Sequence, residues 1–357
     1  MNTERTTKGN LGEWSELLTL AQLLLHSGGH SADSEQKKIE TNFNKVLEVI
    51  LTGNAIEPET IYKIEEERID IFQNEVILKS VSKSDLGNAT KNFFDELSNG
   101  TNSRTFSLES GNALMKLLAR KTISAKSNET ITDLELVIQD PITGGPQPRS
   151  GYSIKSQLGQ TSTLLNSSGS TNIIYKIQSQ EVDSEPVLQG TSHKKNIQSL
   201  YEQGFELIFD SYQRDTFRTN LSFIDSQLPI NLPKVVLTHY LVNDTSEYAA
   251  TVEKVFAPGS QENDQIIYKF KQLLLAVSMG LRPATAWKGN LEKFKGLLIV
   301  NRNGEILFYP QETKLNFQDF LYRSVRFDRP DSRLKYGLIY KLNGQFFIKL
   351  NFQIRFK

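Results

Sequence analysis

The chain has 357 residues, and its content of 38% hydrophobic and 23% charged residues indicates a soluble globular protein. Its formal net charge is zero, so the total charge does not by itself point to a nucleic-acid partner. It contains no cysteine, which excludes disulfides, thiolate nucleophiles and cysteine-ligated zinc, and its four histidines lack metalloprotease spacing. No apolar run approaches membrane-spanning length and the N-terminus lacks a signal-peptide core, so we expect a cytoplasmic protein without membrane association.

The charges are unevenly distributed along the chain. Residues 35–96 carry 13 acids and eight bases, whereas residues 321–357 carry nine bases and two acids. This asymmetry suits an enzyme that meets a polyanion with one face. A solvated basic edge would have the same composition, so the pattern is supporting evidence only.

The first predicted element is a helix over residues 10–25. Asn10 is in position to cap this helix, and Glu13 follows three residues later in capping-box register. Beyond Glu16 the helix is apolar on nearly every side, which indicates that it lies inside the protein. Glu16 therefore enters at the rim of the core, where a carboxylate requires partners.

The next segments alternate between helical and strand patterns. We predict a helix over residues 36–52, strands within 61–81, a helix over 85–97 capped by Ser84, and a further helix over 108–120. Helices followed by paired strands favour an α/β or α+β class.

Residues 131–157 contain two alternating runs joined by a loop rich in proline and glycine, which is the pattern of a β-hairpin. On the first run, Asp133 falls on the face opposite to Leu134. On the second run, Ser153, Lys155 and Gln157 share one face. Each strand thus offers an apolar face to a core and a polar face to another partner.

An acid on one strand and a lysine on the next form the arrangement that a metal-dependent nuclease needs. The acid can hold Mg²⁺ while the ammonium lies beside the attacking water or the scissile phosphate. An exposed cross-strand ion pair between Asp133 and Lys155 would have the same spacing. The spacing alone therefore favours an ordinary hairpin, and the surrounding sequence must decide.

The second half of the chain predicts further strands and helices. They are a strand over residues 172–177, a helix over 195–209, a strand over 234–241, a helix over 264–279, and two hairpins turning at Asn303-Gly304 and Asn343-Gly344. No internal repeat or low-complexity tract is present.

Several segments carry a family resemblance in the same order along the whole chain. GNLGEWSELL, TDLELVIQD followed by SIKSQLG, STLLNSSGSTNIIYKI and the final KLNFQIRF together resemble the HpaII family of type II restriction endonucleases. The resemblance implies the PD-(D/E)XK nuclease fold, with a mixed central sheet of about four strands flanked by helices. It also implies cleavage of unmethylated duplex DNA at a short palindrome, of which CCGG is the site associated with the founding member.

The same resemblance implies catalytic roles. Asp133 matches the acid of the first hairpin strand, Lys155 the lysine of the second, and Glu16 an extra carboxylate from an N-terminal helix. Ser153 replaces the acid that the superfamily carries two residues before the lysine, so the ion must draw on another group. Glu16 is the first candidate for this ligand and Gln157 the second. We therefore expect Mg²⁺ to be held by Asp133 and Glu16, with Lys155 acting on the water.

Two groups of residues are candidates for DNA contact. Arg326, Arg329 and Arg333 lie in the basic C-terminal segment, and arginine reads O6 and N7 of guanine bidentately. Asn166 and Ser168 lie in a polar loop of the type that contacts phosphates and base edges. A polar turn and a solvated basic surface are the competing interpretations.

The leading hypothesis is a Mg²⁺-dependent type II restriction endonuclease that hydrolyses double-stranded DNA at a palindromic site. Such a site suggests a homodimer with two symmetric active sites, and a cognate DNA methyltransferase as functional partner. We expect residues 1–357 to form one such unit, with an N-terminal part (1–104), a nuclease core (105–260) and a C-terminal part (261–357). The alternatives are a DNA-binding relative inactivated by Ser153, and a structure-specific repair or junction nuclease.

Overall fold

The computed structural model describes residues 6–99, 105–123, 132–159, 163–179, 185–190, 192–242, 245–289, 294–310, 314–328 and 336–357. The chain forms two compact units, each discontinuous in sequence. Unit 1 comprises Met1–Ser162 and Glu292–Phe317, and unit 2 comprises Thr163–Leu291 and Gln318–Lys357. In these ranges, no helix has the length and apolarity required to cross a membrane.

The first elements in chain order are α1 (Leu11–His26), β1 (Gly28–Ala32), β2 (Lys38–Leu51), β3 (Thr60–Ile64), β4 (Arg68–Gln73), β5 (Val76–Ser82), α2 (Lys83–Ser98), α3 (Glu109–Leu117), β6 (Leu134–Ile138) and β7 (Ser150–Ser156). They are followed by β8 (Thr163–Leu165), a 3-10 turn (Gly169–Thr171), β9 (Asn172–Gln178), α4 (His193–Glu202), β10 (Glu206–Tyr212), α5 (Asp215–Ile224), α6 (Leu228–Leu241), α7 (Tyr248–Val255) and α8 (Gln261–Ser278). The last are β11 (Phe294–Val300), β12 (Ile306–Pro310), α9 (Lys314–Ser324), β13 (Val325–Phe327), β14 (Ile339–Leu342), β15 (Gln345–Asn351) and β16 (Ile354–Phe356).

Unit 1 is built on a mixed sheet of nine strands in the order β1-β12-β11-β7-β6-β2-β3-β4-β5. The β7–β11 and β1–β12 pairs are parallel, and the neighbouring pairs β6–β7 and β11–β12 are antiparallel. The mixed α/β class is as expected, but the sheet is larger than the four strands implied by the resemblance. The β11–β12 hairpin predicted from Asn303-Gly304 is confirmed.

The long strand β2 joins the end strand β1 to the middle of this sheet. Its first half pairs with β1 and its second half with β6 and β3, so the pairings return to β1. Gly28 begins β1 with φ 133°, and a Cβ there would lie 2.0 Å from the backbone oxygen of Asn44. Only glycine fits this crossing of β1 and β2.

The helix predicted over residues 36–52 is wrong, because this stretch is strand β2. Its apolar residues approach helical spacing, but Val46, Val49 and Ile50 are buried in the sheet. Strands pair with both edges of β2, and this tertiary pairing outweighs the local pattern.

Helix α1 forms as predicted and is buried along most of its length. The Asn10 side chain accepts from the Glu13 amide at 3.0 Å, and the Glu13 carboxylate accepts from the Asn10 amide at 2.7 Å, which completes the capping box. Ser27 ends the helix in the left-handed conformation. α1 packs on the sheet through a core shared with α2 and α3.

Unit 2 contains two small antiparallel sheets, with the strand orders β10-β9-β15-β14 and β13-β16-β8, and the helices α4 to α8. The Asn343-Gly344 hairpin is confirmed by the β14–β15 pairing, and the predicted strand at 172 and helix at 264 are present as β9 and α8.

The strand predicted over residues 234–241 is wrong, because this stretch is the second half of α6. A short apolar run does not distinguish a buried helix from a strand. Pro233 lies inside this helix and has no N–H to donate to the carbonyl of Pro229 four residues earlier. The Tyr212 hydroxyl donates to that carbonyl at 2.9 Å instead, which accommodates the proline.

Two predicted helices differ at their ends. The helix predicted over 195–209 stops at Glu202, and β10 follows after Gly204, whose φ of 84° turns the chain. The cap of α2 is Ser82 and not Ser84, since the Ser82 hydroxyl accepts from the Asp85 amide at 3.0 Å.

Candidate active site

The predicted hairpin of residues 131–157 is confirmed as the antiparallel pair β6–β7, in which Leu134 lies opposite Tyr152. Its loop is fixed by Asp140, whose carboxylate accepts from the amides of Thr143 and Ile142 at 2.8 and 2.9 Å. These two amides hold the pKa of that carboxyl below its usual range. Asp140 is therefore a turn residue.

Asp133 lies immediately before β6 and is only 7% exposed. Its amide donates to the Tyr152 carbonyl at 2.9 Å, and its carboxylate accepts from the Ile154 amide at 2.7 Å. Backbone groups of β7 thus fix Asp133 beside Ile154, the residue that precedes Lys155. A buried carboxylate held in this way keeps a defined position for a cation or a water.

Ser153 and Lys155 share one face of β7, and the neighbours Tyr152 and Ile154 point into the core shared with α1. Ser153 is buried and Lys155 half-buried. The structure therefore brings the Asp133 carboxylate to the strand segment that carries both residues.

Glu16 is half-buried on α1, which packs against β7. Its neighbour Ser15 is completely buried, and the Ser15 and Ser156 hydroxyl oxygens lie 2.8 Å apart. The residues adjacent to Glu16 and to Lys155 are thus in direct contact. Sequence analysis did not single out Ser15 or Ser156. The signal available in the sequence was Ser156 itself, a polar residue on the face of β7 whose apolar side chains point into the core.

Gln157 follows β7, and its amide donates to the Val300 carbonyl at 2.8 Å. Its side-chain amide donates to the Gln36 side-chain oxygen at 2.5 Å. This bond uses the Gln157 nitrogen, so the preference for Glu16 as the second ligand rests on its charge, since Mg²⁺ in proteins is bound mainly by carboxylates.

The donor set of this site is made of hard oxygens. Among the residues described, no three His, Cys, Asp or Glu side chains form a group that could hold a metal. Mg²⁺ is commonly bound by one or two carboxylates and retains several waters, so a site with Asp133 and a single further carboxylate fits this ion. Lysine next to such a site supplies positive charge for an anionic reaction centre.

The predicted DNA contacts fall in unit 2. Arg326 is half-buried in β13, opposite Arg355 of β16, while Arg329 and Arg333 lie outside the described residues. Asn166 is exposed. Ser168 caps the 3-10 turn, since its hydroxyl accepts from the Ser170 amide at 3.1 Å.

Comparisons with known proteins identify the family to which the chain belongs. The family model that matches the chain describes a restriction endonuclease, a site-specific deoxyribonuclease, and the match extends over residues 10–356. The chain belongs to the HpaII restriction endonuclease family. It is 32% identical over 358 residues to the Type II restriction enzyme HpaII of Haemophilus parainfluenzae, with 98% of each chain covered. No solved structure matches the chain. Membership of this family confirms the resemblance and does not favour a degenerate DNA-binding protein.

Proposed function

We propose that the chain hydrolyses double-stranded DNA at a short palindromic site through a Mg²⁺-dependent centre of the PD-(D/E)XK type. In this proposal Asp133, Lys155 and Glu16 are the catalytic residues, and β12-β11-β7-β6 is the central part of the nuclease fold. The supporting observation is the Asp133 carboxylate, which is held by the Ile154 amide next to Lys155.

Each residue has a distinct role in this proposal. Asp133 and Glu16 would hold the ion, because Ser153 contributes a hydroxyl where a carboxylate is usual and Mg²⁺ is bound mainly by carboxylates. Bound Mg²⁺ supplies Lewis acidity that activates water and offsets phosphoryl charge. The Lys155 ammonium orients the attacking water and stabilises the negative charge that develops on the phosphate. Attack is in line, without a covalent intermediate.

The relative is described as a Type II restriction enzyme, and we extend this to a palindromic target for the present chain. Two symmetric active sites are most simply supplied by a homodimer. A DNA methyltransferase of the same specificity would then protect cytoplasmic host DNA. Arg326, Arg329, Arg333, Asn166 and Ser168 remain candidates for DNA contact, with Arg326 the strongest of the described ones.

Digestion of unmethylated phage DNA with Mg²⁺, followed by sequencing of the fragment ends, tests this function. We expect discrete fragments whose ends share one palindrome, and no fragments when Mg²⁺ is chelated. Lys155→Ala should bind DNA without cutting it. Lys63→Ala is the control: it removes a lysine of β3, in the same unit, that is paired with Glu48 of β2. This variant should cut DNA at the normal rate. A smear of products, or wild-type cutting by Lys155→Ala, would contradict the proposal.

A further inference from the structure

A buried hydroxyl contact links helix α1 to strand β7. The Ser15 and Ser156 hydroxyl oxygens are 2.8 Å apart, and the Ser15 hydroxyl also lies 2.7 Å from the Leu11 carbonyl oxygen. Ser15 is completely buried and Ser156 half-buried. Solvent therefore does not compete for the Ser15 side of this contact, and its geometry is strongly determined.

These contacts form a chain of polar atoms. The Leu158 amide donates to the Ser156 oxygen at 3.1 Å, on the strand side of the contact. The Ser15 hydroxyl donates to the Leu11 carbonyl at 2.7 Å, on the helix side. This chain connects the turn after β7 to the first turn of α1.

The apolar contacts between α1 and the sheet do not fix the position of the helix to the same degree. Leu17, Leu18 and Leu20 pack through non-directional contacts, which constrain rotation of the helix less than a hydrogen bond does. Consecutive helical residues are about 100° apart around the axis, with a rise of about 1.5 Å. A hydrogen bond from Ser15 therefore determines where the next side chain, Glu16, points.

We propose that Ser15 and Ser156 are positioning residues that hold Glu16 in register with Lys155. Ser15 precedes Glu16 and Ser156 follows Lys155, so one hydrogen bond constrains both backbones next to the groups assigned to catalysis. This inference rests on the proposed function. A displacement of about 1 Å at a catalytic group is sufficient to slow a reaction about 10²-fold, so a small change in register has a measurable effect.

Thr19 supplies a matched control on the same helix. It is also completely buried, and its hydroxyl donates at 2.8 Å to the Ser15 carbonyl, within α1 itself. Thr19→Val removes this hydroxyl with little change of shape. Ser15→Ala and Ser156→Ala remove the contact with β7 from either side.

The first measurement is the cleavage rate as a function of Mg²⁺ concentration, with the melting temperature of each variant. We expect Ser15→Ala and Ser156→Ala to raise the Mg²⁺ concentration for half-maximal cleavage roughly three- to tenfold, the effect of one lost hydrogen bond. The double variant should be no worse than either single variant, because both remove the same interaction. Thr19→Val should leave the Mg²⁺ dependence unchanged.

The second measurement requires neither metal nor DNA. Hydrogen exchange in metal-free protein should be faster at the Leu158 amide in Ser15→Ala, whereas Thr19→Val should leave that amide protected. A lower melting temperature with unchanged Mg²⁺ dependence, or an equal Mg²⁺ shift in Thr19→Val, would overturn the inference. If Ser15→Ala does not fold, the same two measurements on Ser156→Ala test the inference, because Ser156 is only half-buried at the end of β7.

Failure of this inference is distinguishable from failure of the proposed function. If Glu16→Gln and Lys155→Ala abolish cleavage while both serine variants keep the wild-type Mg²⁺ dependence, only the positioning role is wrong. If Glu16→Gln and Lys155→Ala cut normally, the catalytic assignment is wrong and the serine contact has no catalytic group to position.

Discussion

The β6–β7 hairpin and the C-terminal segment of residues 321–357 both contain charges that suggested a DNA enzyme, but the structure uses those charges differently. In the hairpin, Asp133 is buried and bound by a backbone amide. In the C-terminal segment, three of the six described bases have acidic partners: Arg355 pairs with Asp328, Lys357 with Glu247 and Lys341 with Glu185. A count of bases along a sequence therefore overestimates the charge available to DNA.

Arg326 differs from these bases. In the described part of the chain it forms no ion pair, although it lies directly opposite Arg355 across the β13–β16 pair. The contrast between the buried, backbone-bound acid of the hairpin and the partly ion-paired bases of the C-terminal segment can be tested by removing single charges from each.

Asp133→Asn should have the largest effect. Asparagine keeps the shape and an acceptor for the Ile154 amide but removes the negative charge proposed to bind the ion. We expect cleavage to fall by about 10³-fold or more, equivalent to about 4 kcal/mol of transition-state stabilisation. Single-turnover cleavage rates at saturating protein measure this change.

Asp328→Asn is the matched control in unit 2, because it removes the acidic partner of Arg355. Its cleavage rate should stay within a few-fold of wild type. Similar losses in the two variants would remove the distinction between a catalytic acid and an ion-paired one.

The sequence was informative where a local rule decides the structure. Strand alternation placed Lys155 correctly on β7 and Asp133 next to the first residue of β6, and the capping box of Asn10 and Glu13 located α1. These features depend on residues that are close in sequence, so a single chain contains the necessary information.

The errors arose where partners distant in sequence decide the structure. Strand β2 forms because β1, β6 and β3 pair with it, and α6 tolerates Pro233 because Tyr212 bonds the carbonyl of Pro229. The contact of Ser15 with Ser156 joins residues 141 positions apart, and no periodicity predicts it. The ion pairs of the C-terminal segment likewise depend on Glu185 and Glu247 in other elements.

Arg326→Gln should have an intermediate effect, on DNA binding and not on chemistry. If Arg326 contacts one phosphate, the slope of log K against log salt should fall by about 1, with binding weakened about fivefold at moderate salt. Binding isotherms at several salt concentrations measure both quantities.

The control removes the ion pair of Arg355 and Asp328 together, as Arg355→Gln with Asp328→Asn, which leaves the net charge unchanged. Its salt slope should equal that of wild type. A slope that falls as much in this double variant as in Arg326→Gln would show that ion-paired bases also contact DNA.

Asp70→Asn should have the smallest effect, on stability in acid, and it tests whether a buried acid outside the site is purely structural. Asp70 is 6% exposed on β4, and its carboxylate accepts from the Ser80 hydroxyl at 2.6 Å and from Arg68 Nε at 3.0 Å. The hydrogen bonds of Ser80 and then Arg68 hold its pKa below the ordinary value of 3.8. The stabilisation is therefore present above pH 3.8 and is lost as the pH falls through the lower folded-state pKa.

At pH 7 we expect Asp70→Asn to lower the free energy of unfolding by about 0.5 kcal/mol, because its neutral amide forms weaker hydrogen bonds. Denaturant titrations should show this difference shrinking below pH 3.8 and vanishing below the folded-state pKa, while cleavage at pH 7 stays normal. A loss of cleavage at pH 7 would extend the functional region from β6–β7 to the far strands of the sheet.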